Sequence, residues 1–200
     1  MAGEPKRAGA GGREKSVLVG VTGSIAAFKA AEIVSQLRQR GADVTVMMTR
    51  DAERLVTAHT FQALSGKKAL VDLWEDTTRA EHLRLAGEAD LVLVAPATAN
   101  VLSKVAAGLA DDLVTATLLA TPPSKVLFCP AMNDRMWESP IVQDNVRRLS
   151  AHGFSFLGPV AGWLAEGYAA TGRMAEIDDV VKEALRRVGL PARKPPVEPA

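Results

Sequence analysis

Ser16-Val-Leu-Val-Gly-Val21, with Thr22-Gly23-Ser24-Ile25 directly behind it, decides the fold of this chain. A short apolar run that ends in a Gly-containing turn reads as a buried strand. Ala26, Ala30, Ile33, Val34 and Leu37 then recur at helical spacing, and Gly41 stops the pattern. The same alternation continues outward. Asp43 to Met48 is a second strand, followed by a mixed helical stretch from Asp51 to Leu64. Asp90 to Ala95 is a third strand, broken by Pro96, and Val101, Leu102, Val105, Ala106 and Leu109 return to the helical period. Ser124 to Cys129 is a fourth strand, ended by Pro130. A helix is expected over Pro140 to Leu149 and a short fifth strand over Phe154 to Leu157. Ile177, Val180, Val181, Ala184, Leu185 and Val188 form a last amphipathic helix, stopped by Gly189 and Pro191. Continuous apolar strands alternating with helices imply a parallel sheet covered on both faces. The expected fold class is therefore α/β, a single doubly wound parallel-sheet domain over residues 16–190. Residues 1–15 mix Gly, Pro and charge, and residues 191–200 hold four prolines, so both are expected to be disordered tails.

Charge and composition narrow the function. Lys and Arg number 24 against 23 Asp and Glu, a net charge of +1. That gives no electrostatic case for binding nucleic acid or an acidic membrane surface. One Cys in 200 residues excludes an intrachain disulfide framework, and with three His it leaves no zinc-ligand spacing. No metal is expected. No run approaches the roughly 18 apolar residues of a membrane span, and the polar N-terminus does not read as a signal peptide. A cytoplasmic protein is expected.

Ligands on doubly wound sheets bind beyond the carboxyl ends of the strands. After the first strand, Gly23 allows a tight turn, and Ser24 with the following amides offers donors to a phosphate. An ordinary strand-to-helix turn uses the same residues. Neither a P-loop nor a Gly-x-Gly-x-x-Gly spacing is present, and no acid ends the second strand to meet a ribose. Arg50 there reads as a solvated side chain. After the third strand, Thr98 can cap a helix, and the small residues around it would let a flat ring system approach the backbone. Asp111 and Asp112 read as helix caps before an apolar helix. Asn133, after the fourth strand, supplies donors and an acceptor, though a turn also favours Asn. His82 could act as a neutral base, but a lone His is more often structural. His59 and His152 have no motif around them.

Together these pieces are more specific than any one. Gly20-Val-Thr-Gly-Ser-Ile-Ala-Ala27, His82, Ala89-Asp-Leu-Val-Leu-Val-Ala-Pro-Ala-Thr-Ala-Asn100, Gly108-Leu-Ala-Asp-Asp-Leu113, Pro130-Ala-Met-Asn-Asp-Arg-Met-Trp137 and Gly172-Arg-Met174 occur in that order. This resembles the homo-oligomeric flavin-containing cysteine decarboxylases over nearly all of residues 16–188. That family includes phosphopantothenoylcysteine decarboxylases of coenzyme A synthesis, and enzymes that decarboxylate the C-terminal Cys of lanthipeptide and thioamide-peptide precursors. The resemblance implies a Rossmann-like or flavodoxin-like sheet that binds FMN at a subunit interface, in trimers or dodecamers of trimers. It implies the FMN phosphate near Gly23, Ser24 and Ile25, with Thr49, Thr98, Ala99, Asn100 and Ala131 along the rest of the cofactor. His82 matches the family's base, which helps deprotonate the thiol, and Asn133 the residue that holds the cysteine carboxylate. Met132 and Met174 would touch substrate, Met174 from the loop that closes over it. The chemistry implied is removal of a hydride from the cysteine Cβ by FMN, leaving a thioaldehyde as the electron sink for decarboxylation.

One position departs from the pattern. The coenzyme A branch carries Leu-Ala-Cys-Gly in the closing loop, and that Cys returns a proton to the enethiolate. Here the stretch is Leu164-Ala-Glu166-Gly167, and the only thiol, Cys129, lies at a strand end. An ionised carboxylate is a poor proton donor. The expectation from this position is oxidative decarboxylation of a Cys-terminated precursor peptide, giving the aminoenethiol used in aminovinyl-cysteine rings. Phosphopantothenoylcysteine is the alternative substrate. A non-catalytic flavoprotein that regulates a phosphatase is expected to carry a long acidic tail, which this chain lacks. A flavin prenyltransferase is expected to lack the pairing of His82 with Asn133.

Overall fold

A computed structural model of the chain describes residues 13–74 and 80–192. Five parallel strands, β1 (Ser16–Val21), β2 (Asp43–Met48), β3 (Leu91–Ala97), β4 (Val126–Pro130) and β5 (Ser155–Phe156), lie in the order β2-β1-β3-β4-β5. Ser16 of β1 sits opposite Asp43, and Val17 opposite both Val44 and Leu91. All seven residues of β3 are buried. A strand covered on both faces needs continuous hydrophobicity rather than alternation, which is why these runs carry so few charges.

The two faces separate by residue parity. Val17, Val19 and Val21 of β1 pack with Leu93, Ile33, Leu37 and Leu185 on one side. Leu18 packs with Val92, Val94, Phe128, Leu102 and Leu118 on the other. The helices are α1 (Ala27–Gln39), α2 (Arg50–Glu53), α3 (Ala58–Ser65), α4 (Glu81–Glu88), α5 (Ala99–Ala107), α6 (Leu113–Ala120), α7 (Asp134–Trp137), α8 (Pro140–Ala151) and α9 (Ile177–Val188). α1, α3 and α9 cover the first face; α4, α5, α6 and α8 cover the second. The doubly wound α/β class is the observed one.

One local expectation changes, and two elements appear that the periodicity did not assign. Pro96 does not break β3, which runs on to Ala97 through a cis Ala95–Pro96 bond. The pairing with β4 shifts register between Val94 and Ala97 instead, where Pro96 has no N–H to give. The segment around His82 is a full helix, α4. The Gly- and Ala-rich stretch after Gly158 contains an antiparallel hairpin, β6 (Val160–Trp163) and β7 (Ala169–Arg173). Most of its residues are small or exposed, so no hydrophobic alternation announces it.

The expected tails lie mostly outside the described residues. Of the described ends, Arg13 pairs with Asp90 at 2.9 Å, and Arg40 donates to the carbonyl of Ala192.

Candidate functional site

The order β2-β1-β3 reverses direction between β1 and β3, and a crevice opens there at the carboxyl ends of the strands. Thr22 laces its two sides together. Its hydroxyl donates to the Pro96 carbonyl at 2.8 Å, and the Thr98 amide donates to it at 3.1 Å. The polar residues that follow the next strands are helix caps. Thr49 accepts from the Ala52 amide at 3.2 Å, Thr98 from Val101 at 3.3 Å, and Asn133 from Arg135 at 2.9 Å. Capping fixes each side chain by satisfying an amide the helix cannot satisfy itself. The helix starts thus converge on one crevice.

Two cavities occupy it. The first, about 340 Å³, is lined by Gly23, Ser24, Thr49, Thr98, Ala99, Asn100 and Ala131 among others. The second, about 440 Å³, lies between the N-terminal turn of α1 and the β6–β7 hairpin. Ser24, Ala131, Met132, Asn133 and Glu166 line both, so the two form one cleft with two lobes. The first lobe fits a flavin mononucleotide. Its lining combines the small apolar Ala99 and Ala131 with the hydroxyl-bearing Thr22, Ser24, Thr49 and Thr98. At Gly23 a Cβ would stand 2.6 Å from the Cβ of Asp51, so only glycine lets the turn close against α2.

The sequence-derived residues fall out unevenly. Those expected around the cofactor line the first lobe, except Ile25, which lines the second and is 64% exposed. Met132 and Asn133 stand at the junction of the lobes, and the buried Met174 lines the second. His82 lies in the first turn of α4 and lines neither lobe. Asp112 caps α6 by accepting from the Thr115 amide at 2.8 Å, and Lys104 approaches Asp111 and Asp112 within 2.8 and 3.2 Å. Its ammonium holds the Asp111 carboxyl below the usual range, while Asp111 raises Lys104. These acids are structural. Cys129 is fully buried, and desolvation pushes its thiol up to about 12. It is therefore not a usable acid or nucleophile.

The sequence did not single out Phe28, Lys29 and Trp163, which line the second lobe, with Phe28 61% and Trp163 69% exposed; Arg173, which lines it too, stood in the Gly172-Arg-Met174 motif without a role. Arg173 pairs with Glu176, yet its Nε is buried with no hydrogen-bond partner among the described residues. Among those residues, no three His, Cys, Asp or Glu side chains gather as a metal site, and no helix is long and apolar enough to cross a membrane.

The model of the family described as Flavoprotein matches residues 7–189. The chain belongs to this flavoprotein family. It is 46% identical over 166 residues to the coenzyme A biosynthesis bifunctional protein CoaBC of Mycobacterium tuberculosis, covering 83% of this chain and 40% of that one. The chain thus spans about two fifths of the length of the curated relatives it matches. A PPC decarboxylase mutant complexed with pantothenoylaminoethenethiol superposes with a TM-score of 0.77 at 27% identity, covering 86% of this chain and 96% of that one. The FMN-dependent cysteine decarboxylase SpaF superposes at 0.75 and 30%, covering 88% and 98%.

These relatives overturn one expectation. The peptidyl-cysteine branch does not hold, because curated relatives from 37% to 46% identical over most of the chain are coenzyme A biosynthesis proteins. The expectation of a peptide substrate rested chiefly on Glu166 in the closing loop. A loop proton donor bears on the fate of the decarboxylated product, not on which molecule the cleft admits.

Proposed function

We propose that this chain is an FMN-dependent phosphopantothenoylcysteine decarboxylase acting in coenzyme A biosynthesis. Its 46% identity to a coenzyme A biosynthesis protein over 83% of the chain carries the assignment. The second lobe supports it chemically. Lys29 and Arg173 stand there with Asn133, and a substrate with both a phosphate and a carboxylate needs cations as well as an amide donor.

Bound FMN supplies a reversible two-electron oxidation at the cysteine, giving the electrons of the breaking carbon–carbon bond a place to go. The chain's own residues orient the substrate. Asn133 holds the carboxylate from the junction of the lobes, and Met132 and Met174 pack against the cysteine side. Trp163 and Leu164 of the hairpin wall restrict water at that end.

His82 is assigned to the thiol proton, reaching the cleft from a neighbouring copy. Its absence from both lobes of its own chain supports this, as does the apolar rim of Ile25, Phe28 and Trp163. A homo-oligomer, a trimer or dodecamer of trimers, follows, and light scattering on the purified protein tests it. The same proposal places the protein in the cytoplasm.

Comparing phosphopantothenoylcysteine with unphosphorylated pantothenoylcysteine tests the substrate. The phosphorylated compound should be turned over with at least a tenfold higher kcat/KM, and Lys29→Ala should erase most of that difference. Equal rates for the two compounds would remove the phosphate from the recognition chemistry.

A further inference from the structure

The hairpin meets the end of β4 at two levels. At its base the Met132 amide donates to the Gly172 carbonyl at 3.0 Å. At its tip Tyr168 reaches the next two residues. Asn133 Nδ2 donates to the Tyr168 hydroxyl at 3.1 Å, and that hydroxyl donates to Asp134 Oδ1 at 2.6 Å. The opposite end of the Asn133 amide is already fixed, because Oδ1 accepts from the Arg135 amide at 2.9 Å.

The polarity of this chain is determined at every link. Oδ1 on a backbone N–H leaves Nδ2 as the outward group, with two hydrogens. The Asp134 carboxylate only accepts, so the Tyr168 hydroxyl must donate to it and offer a lone pair to Asn133. One Nδ2 hydrogen is thereby committed, and the other remains for the cleft. The contact to Asp134 is charge-assisted. It holds the Asp134 carboxyl below its usual range and pushes the Tyr168 hydroxyl up.

We propose that Tyr168 is a positioning residue for decarboxylation: it anchors one hydrogen of the Asn133 amide against Asp134 and so aims the other at the substrate carboxylate. This rests on the proposal that Asn133 holds that carboxylate. Tyr168 sits at the hairpin tip, so the amide is aimed only while the hairpin is docked. Carboxylate recognition and closure of the cleft are then one event. The hydroxyl keeps its proton throughout.

Tyr168→Phe deletes the hydroxyl and keeps the ring. With FMN-loaded protein, kcat/KM for phosphopantothenoylcysteine should fall about tenfold, the effect of one lost hydrogen bond to an ionised partner. The Kd for phosphopantetheine, which has no carboxylate, should not change, and the flavin spectrum should stay the same. Asp134→Asn, which keeps an acceptor without the charge, should give a smaller loss. Wild-type kcat/KM in Tyr168→Phe overturns the proposal. So does an equal weakening toward phosphopantothenoylcysteine and phosphopantetheine, because the hydroxyl would then support the hairpin and not the amide. Asn133→Ala separates the two failures. If it turns over substrate normally, the role of Asn133 falls and that of Tyr168 with it. If it is inactive while Tyr168→Phe is normal, only the role of Tyr168 falls.

Discussion

The strand-end wall of the cleft and the hairpin wall are held by different means. Thr22, Thr98, Ala131 and Asn133 lie where buried strands stop, and the polar ones are also helix caps or inter-strand ties. Burial fixes their backbone and capping fixes their side chains. The hairpin wall has no such double constraint. Trp163, Glu166 and Tyr168 are exposed, and the hairpin touches the end of β4 through Gly172 and Tyr168. A pre-formed wall suits a cofactor that stays, and a wall tied at a few points suits a substrate that must enter and leave. Local opening is cheapest where few apolar contacts hold a segment.

Substitutions can break this division or sharpen it. The largest effect is expected at the junction. Asn133→Ala should reduce turnover of phosphopantothenoylcysteine by about 10²- to 10³-fold, as for loss of a donor aimed at a reacting group, while FMN absorbance is retained. Loss of the flavin would instead make Asn133 part of the cofactor wall.

Gly172→Ala attacks the hairpin's base. Its Cβ would lie 2.3 Å from the Met132 carbonyl oxygen, a backbone atom that cannot swing aside. The hairpin should shift, and a misplacement of about 1 Å is expected to cost roughly 100-fold in kcat/KM. FMN binding and the global unfolding midpoint should hardly move. Gly23→Val is the mirror experiment on the strand-end side. The clash with Asp51 should weaken FMN about tenfold or more in a reconstitution titration, and turnover at saturating FMN should fall less than in Gly172→Ala.

Cys129 reports on the sheet beneath both walls. With its thiol pushed up to about 12 by burial, it should resist iodoacetamide in the native protein near pH 8 and react on unfolding. Rapid native labelling would show that the end of β4 opens. The smallest effect lies far from the cleft. Glu183, paired with Arg186 and Arg187, has its carboxyl lowered to about 2. Its contribution is present above about pH 4.5, its ordinary value, and is lost as pH falls toward 2. Because Arg186 is largely exposed, Glu183→Gln should cost no more than about 1 kcal/mol near neutral pH by denaturant titration.

The same division governs what could be read from the sequence. Ser16 to Ile25 shows its strand and turn because a doubly covered strand must be apolar and the turn must close tightly. Thr98 is visible in the sequence as a helix cap, and Asn133 as a turn residue, because each follows a buried strand. Pro96 misleads because proline removes one N–H without forbidding a strand whose register can shift around it. The hairpin is illegible because Ala161, Ala169 and Ala170 carry no period. The link from Asn133 to Tyr168 is illegible because it is tertiary, spanning 35 positions. Glu166 shows the limit of a single loop position. It lines both lobes of the cleft, which the motif left open, and it did not determine the substrate.

Mass spectrometry of the FMN-loaded protein offered phosphopantothenoylcysteine and a Cys-terminated peptide in equal amounts tests the central claim most directly. Loss of carbon dioxide from the phosphorylated compound, with the peptide unchanged, is the expected result. Conversion of the peptide with phosphopantothenoylcysteine left intact would contradict it.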